Sequence, residues 1–163
     1  MKEHQLTIHY RQYSLEELTA EDRELVEEAI GATSHSFSPY SHFQVGAALR
    51  LADGRIIVGA NQENAAFSAC LCAERSAIFA AQAQYPAQPI VALAIAARNA
   101  QGLLATPVSP CGECRQVMAG IEDRYQRPMR VLLYGTNGVY VLERAAHLLP
   151  LCFVDANMRE GME

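Results

Sequence analysis

The sequence predicts an α/β domain in which helices pack on the faces of a single mixed sheet. Three observations carry this. Phe43, Val45, Ala47 and Leu49 alternate with other residues up to Asp53-Gly54, and Ile56-Ile57-Val58 follows, which is the pattern of a hairpin. Ile90-Val91-Ala92-Leu93-Ala94-Ile95-Ala96-Ala97 is a continuous apolar run of strand length, as expected of a central strand buried on both faces. Helical segments separate the strands, so the order is two strands, helix, strand, helix, two strands.

Before the hairpin, residues 1–33 read as an N-terminal extension. Leu6, Ile8 and Tyr10 alternate as in a short strand or extended arm. Ser14-Leu15-Glu16-Glu17 has capping-box spacing, and Thr19-Ala20-Glu21-Asp22 opens an amphipathic helix carrying Leu25, Val26, Ala29 and Ile30. Ser38-Pro39-Tyr40-Ser41-His42 breaks that pattern. From residue 34 to 163 the chain reads as one further domain. A helix starts near Cys72 and stops at Tyr85-Pro86, Gly102 to Ser109 is a connection, and a second helix starts at Cys111. Arg130 to Tyr134 and Val139 to Leu142 are strands about the turn Thr136-Asn137-Gly138, and Glu143 to Leu149 reads as a short helix. No repeat, linker or low-complexity stretch interrupts the chain.

Composition narrows the class. At 163 residues the chain fits one domain and needs neither metal nor disulfide to make up for a small core. A net charge of −5 with half the residues hydrophobic offers no footprint for a polyanion, so a nucleic-acid polymer is not an expected partner. No apolar run reaches the ~20 residues of a membrane span, and Met1-Lys2-Glu3-His4-Gln5 lacks the apolar core of a signal peptide. The expectation is a cytoplasmic protein without membrane contact.

Five cysteines without a secretory signal argue against a disulfide framework. Three form a pattern: Cys72-Ala73-Glu74-Arg75 and Pro110-Cys111-Gly112-Glu113-Cys114. Cys72, Cys111 and Cys114 suit a three-thiolate zinc site whose fourth position stays open for a water that the metal acidifies. Glu74, two residues past a thiolate at a helix start, can reach that water without ligating the metal. Both ligand segments sit at helix starts, where free N–H groups and the helix dipole favour thiolates. Three thiolates exceed the charge of Zn²⁺ by one unit, and Arg75 is the candidate to offset it. Cys70 and Cys152 are left over and read as small buried hydrophobes.

Two other readings use part of this pattern. A thiol–disulfide oxidoreductase would use Cys111-Gly112-Glu113-Cys114 but leave Cys72 and Glu74 without a purpose. A zinc-stabilised binding module would have no need of Glu74.

His-x-Glu with Pro-Cys-x-x-Cys, or its all-cysteine variant, is the zinc deaminase signature. With Asn61-Gln62-Glu63-Asn64 before the first motif and Leu148-Leu149-Pro150-Leu151-Cys152-Phe153 near the end, the chain resembles the small cytidine deaminases of pyrimidine salvage, the homotetrameric all-cysteine type, over roughly residues 34 to 153. The resemblance implies a three-layer α/β/α domain with a five-stranded mixed sheet and one zinc per chain. It implies hydrolytic deamination of cytidine and deoxycytidine, with Glu74 as the proton shuttle and Arg75 donating to thiolate sulfurs. Asn61 and Glu63 would bind the ribose hydroxyl, Phe43 would line the pocket, and the backbone at Ala73 would read the base edge. Phe153 would stack on the base from a neighbouring subunit, making the active sites shared. Ala66-Phe67 stands where the family often has Ser-Tyr. Another aminopyrimidine nucleoside, such as a nucleoside antibiotic, is the alternative substrate.

Overall fold

The computed structural model describes residues 1–159, so the last four positions of the 34–163 segment lie outside the described residues. The elements are β1 (Arg11–Tyr13), α1 (Ala20–Ala32), β2 (Gln44–Leu51), β3 (Ile56–Ala60), α2 (Ala73–Gln84), β4 (Ile90–Asn99), β5 (Gly102–Leu103), α3 (Gly112–Tyr125), β6 (Arg130–Gly135), β7 (Gly138–Leu142) and α4 (Asp155–Arg159). The strands form a mixed sheet in the order β1-β7-β6-β4-β2-β3, with β5 paired to β4. β4 and β6 are parallel, and the other pairs are antiparallel.

β4 is central, as its sequence predicts, and its two faces differ. Leu93 and Ile95 meet Ala77 and Ile78 of α2 and Met118 of α3 in one core. Ala92, Ala94 and Ala96 line the opposite face, where Leu25, Val26 and Ala29 of α1 complete a second core. Small side chains on that face let α1 lie close to the sheet. At Gly46 a Cβ would fall 2.2 Å from the carbonyl oxygen of Ala29, so any larger residue would push α1 off. Thr19 caps α1 by accepting from the N–H of Asp22 at 3.2 Å. The Asp22 carboxylate pairs with Arg130 through bonds of 3.1 and 2.6 Å, tying α1 to the start of β6.

The sheet corrects one expectation: it has seven strands among the described residues, not five. The two additions are β1 and β5, of three and two residues. Neither is long enough to show an alternation. β1 pairs Arg11–Tyr13 with Val139–Val141, just after the Leu6, Ile8 and Tyr10 alternation, whose side chains are exposed. β5 lies inside the stretch read as a plain connection. The helix expected from Glu143 to Leu149 is a 3₁₀ turn over Ala145–Leu148, and α4 follows it unforeseen.

Candidate metal and substrate site

Two helix starts converge. Cys72 is the N-cap residue of α2 and Cys111 that of α3, both in extended backbone conformation, and neither side chain is used as a cap. Cys114, one turn into α3, lies on the same side as Cys111 and is fully buried. The approach of α2 depends on Gly59 in β3, where a Cβ would fall 2.5 Å from the N atom of Ala77 and 2.7 Å from the carbonyl oxygen of Ala73. The first turn of α2 therefore rests directly on the β3 backbone.

The sulfurs of Cys72, Cys111 and Cys114 all lie within 4.8 Å of one another, and those of Cys72 and Cys111 are 3.9 Å apart. Zinc–sulfur bonds of about 2.3 Å at tetrahedral angles place sulfurs about 3.8 Å apart, so the donor set and spacing fit a metal ion of this kind. Hydrogen bonds from Cys114 foremost, then from Arg75 and Cys111, lower the Cys72 thiol to about 5. Cys114 moves the opposite way, raised by its hydrogen bond to Cys72, by burial and by the nearby Glu74. A bound cation would draw both sulfurs into thiolate form. Glu74, in the first turn of α2, is 4% exposed. Burial, and then the negative charge at Cys72, raise its carboxyl above the ordinary range. Arg75 donates to the Cys72 sulfur at 3.7 Å and pairs with Glu113 at 2.9 Å, while its Nε is buried without a partner.

Beside Cys72 opens a cavity of about 450 Å³ lined by Tyr40, Asn61, Glu63, Phe67, Cys70, Arg75 and Glu113, among others. Asn61 is held from three sides. Its Oδ1 accepts from Ser36 Oγ at 2.6 Å and from the N–H of Val45 at 2.8 Å, and its Nδ2 donates to the carbonyl of Phe43 at 2.9 Å. Glu63 accepts from the N–H groups of Tyr40 and Ser41 at 2.8 and 3.2 Å, and from the Ser41 hydroxyl. A larger hollow of about 730 Å³ lies under the C-terminal segment and is bordered by Phe153, but the three-thiol group is not part of it.

Of the residues singled out in the sequence, Cys72, Cys111, Cys114, Glu74 and Arg75 come together, and Asn61 and Glu63 share the cavity with Cys72. Ala73 is buried in the first turn of α2. Phe43 is half-buried and enters the surroundings of the cavity through its carbonyl rather than its ring. Phe153 is exposed and held on α3, its carbonyl accepting from Gln116 at 2.8 Å, and it does not line the cavity of its own chain.

Sequence reasoning passed over Ser36, Tyr40, Ser41 and Glu113. Pro39-Tyr40-Ser41 was legible only as a helix breaker, because its partner Glu63 lies more than twenty positions away. The leftover cysteines differ from expectation too. Cys70 and Cys152 are half-buried rather than core residues. The Cys70 sulfur accepts from the N–H of Asn64 at 3.3 Å and faces the cavity, because the 3₁₀ turn at Phe67–Ala69 carries it to the rim.

Three thiols at two helix starts, with a buried carboxyl two residues past the first and an adjoining pocket, make a donor set able to hold a metal ion. A sequence profile described as the cytidine and deoxycytidylate deaminase zinc-binding region matches residues 19–125. The chain is 40% identical over 136 residues to the cytidine deaminase of Halalkalibacterium halodurans, covering 83% of this chain and 96% of the relative. It is 41% identical over 139 residues to that of Sporosarcina psychrophila, covering 85% and 96%. The crystal structure of cytidine deaminase from Burkholderia pseudomallei superposes with a TM-score of 0.70 at 37% identity, covering 83% of this chain and 100% of that one. The Mycobacterium tuberculosis enzyme gives 0.64 at 28%, covering 83% and 98%. The chain belongs to the cytidine and deoxycytidylate deaminase family.

Proposed function

We propose that this protein is a zinc-dependent hydrolase that converts cytidine and deoxycytidine to uridine and deoxyuridine, releasing ammonia, in pyrimidine salvage. The observation that carries the proposal is the buried Glu74 carboxyl two residues past Cys72, whose sulfur lies within 4.8 Å of those of Cys111 and Cys114. Cys72, Cys111 and Cys114 hold one zinc per chain, which makes this the all-cysteine type. When bound, zinc supplies a water acidified toward neutral pH. Glu74 would take a proton from the attacking water and deliver it to ring N3 as the water oxygen bonds to C4, then take the remaining proton from that oxygen and pass it to the amine, which leaves as ammonia as the C4–N bond breaks. Its raised pKa suits a group that must both accept and release a proton. Arg75 offsets the third thiolate charge.

Across the cavity, Asn61 and Glu63 bind a ribose hydroxyl, Phe43 contributes through the carbonyl that holds Asn61, and the backbone at Ala73 reads the base edge. Phe153 stacks on the base in a neighbouring subunit of a homotetramer. Its exposure, away from its own chain's cavity, supports that role, as do the exposed rings of Phe37, Tyr40 and Phe67. Assembly would bury an edge-on Tyr40–Phe67 pair with centroids 5.6 Å apart. Residues 1–33 act as an extension whose helix seals one face of the 34–163 domain. No helix among the described residues is long and apolar enough to cross a membrane, and the cytoplasm is the proposed location.

The test is the ultraviolet absorbance change on mixing zinc-quantified protein with cytidine and, separately, deoxycytidine. Conversion of both with about one zinc per chain is expected. Full zinc occupancy with no conversion of either would reject the substrate assignment and retain the metal site.

A further inference from the structure

The turn before β2 holds Glu63 in a way that limits what it can bind. An ionised carboxylate offers about four acceptor directions. Oε2 receives the N–H groups of Tyr40 and Ser41 at 2.8 and 3.2 Å, and Oε1 receives the Ser41 hydroxyl. About one direction is left, on an oxygen of a residue that lines the cavity. The Ser41 hydroxyl is itself oriented. Its oxygen accepts from the N–H of Phe43 at 3.1 Å, which leaves its single hydrogen for Glu63. The turn is fixed by more than this relay. The N–H of His42 donates to the carbonyl of Ser38 at 3.0 Å, and His42 sits at φ 54°, a left-handed conformation that a non-glycine residue keeps only when its surroundings impose it. The Tyr40 ring is seated edge-on against Phe67. These hydrogen bonds, Ser41's first, hold the Glu63 carboxyl below the ordinary carboxylate range, so it is an acceptor at working pH.

We propose that Ser41 is a positioning residue for sugar recognition: its hydroxyl locks the Glu63 carboxylate so that the remaining acceptor direction meets one hydroxyl of the substrate sugar. This rests on the reading of Glu63 as a sugar-binding residue. Ser41 is not among the residues that line the cavity, so its contribution falls on affinity for hydroxyl-bearing nucleosides and not on the chemical step.

The experiment compares zinc-loaded wild type, Ser41→Ala, Ser41→Thr and Glu63→Gln. Cytidine is the substrate, and 2′,3′-dideoxycytidine is the competitor, so that its affinity is read whether or not it turns over. Ser41→Ala is expected to raise KM for cytidine about tenfold with kcat within about twofold, and to leave dideoxycytidine inhibition unchanged. Ser41→Thr, which keeps the hydroxyl, should restore the cytidine KM. An unchanged cytidine KM in Ser41→Ala, equal losses for both nucleosides, or a fall in kcat alone would overturn the proposal. Glu63→Gln separates the two layers. If it weakens cytidine and spares dideoxycytidine while Ser41→Ala does nothing, only the positioning role fails. If Glu63→Gln weakens both equally or neither, the sugar-binding reading fails with it.

Discussion

The guanidinium of Arg75 stands 3.7 Å from the sulfur of Cys72, three residues before it in the chain. One helical turn thus carries a thiol of the three-cysteine group, a buried carboxyl and a guanidinium. The same guanidinium meets the carboxylate of Glu113 at 2.9 Å, but the two partners differ in setting: the Arg75 side chain is 18% exposed and that of Glu113 is 73% exposed.

That difference ranks two substitutions. Arg75→Gln removes a charged donor from a thiolate and should lower kcat by about 10- to 100-fold while zinc stays bound. Glu113→Ala removes an exposed ion pair and should change kcat by less than about fivefold. Steady-state kinetics with parallel zinc determination checks both.

Glu74→Gln preserves the size of the side chain and removes its ability to carry a proton. Zinc content should match wild type, and turnover should fall by a factor on the order of 10³ or more. Retention of more than a tenth of wild-type kcat in fully loaded protein would count against Glu74 as the proton shuttle.

Co-expression of Glu74→Gln and Phe153→Ala chains tests the shared site. Each variant alone should be strongly impaired. In a mixed assembly, a Phe153→Ala chain keeps its own Glu74 and can receive an intact Phe153 from a Glu74→Gln neighbour. Recovered activity is therefore expected, and its absence in purified mixed assemblies would show that Phe153 is not supplied in trans.

The Glu63 carboxyl titrates below its ordinary value of 4.5, because Ser41 and the Tyr40 and Ser41 N–H groups bind the charged form. A depressed carboxyl contributes order that is complete above the ordinary value and is lost as pH falls through the lowered one. KM for cytidine should therefore be flat across neutral pH and rise only on the acid side of 4.5. A KM that climbs well above that value would point to another group.

Glu122 of α3 is 5% exposed and accepts from the N–H groups of Met129, Ala145 and Ala146 at 2.7, 2.9 and 3.1 Å. Glu122→Ala would leave those donors unpaired where water does not easily replace the carboxylate, and should cost about 3 kcal/mol. A lower urea midpoint at unchanged slope is the expected readout.

The sequence by itself singled out the cysteine trio, Glu74 and Arg75, because they stand at spacings of two and three residues on helix starts, where propensity and capping act locally. It also determined the central strand and the hairpin, through apolar periodicity. Only the tertiary structure decided that helix starts separated by 39 residues meet, that Gly59 lets α2 rest on β3, and that Ser41 reaches Glu63 across a separation of 22. It also added β1 and β5, whose pairing is too short to leave a periodic trace, and set Phe153 away from its own chain's cavity. These depend on strand order and register, which are settled by packing among residues far apart in the chain, and no local pattern encodes such contacts.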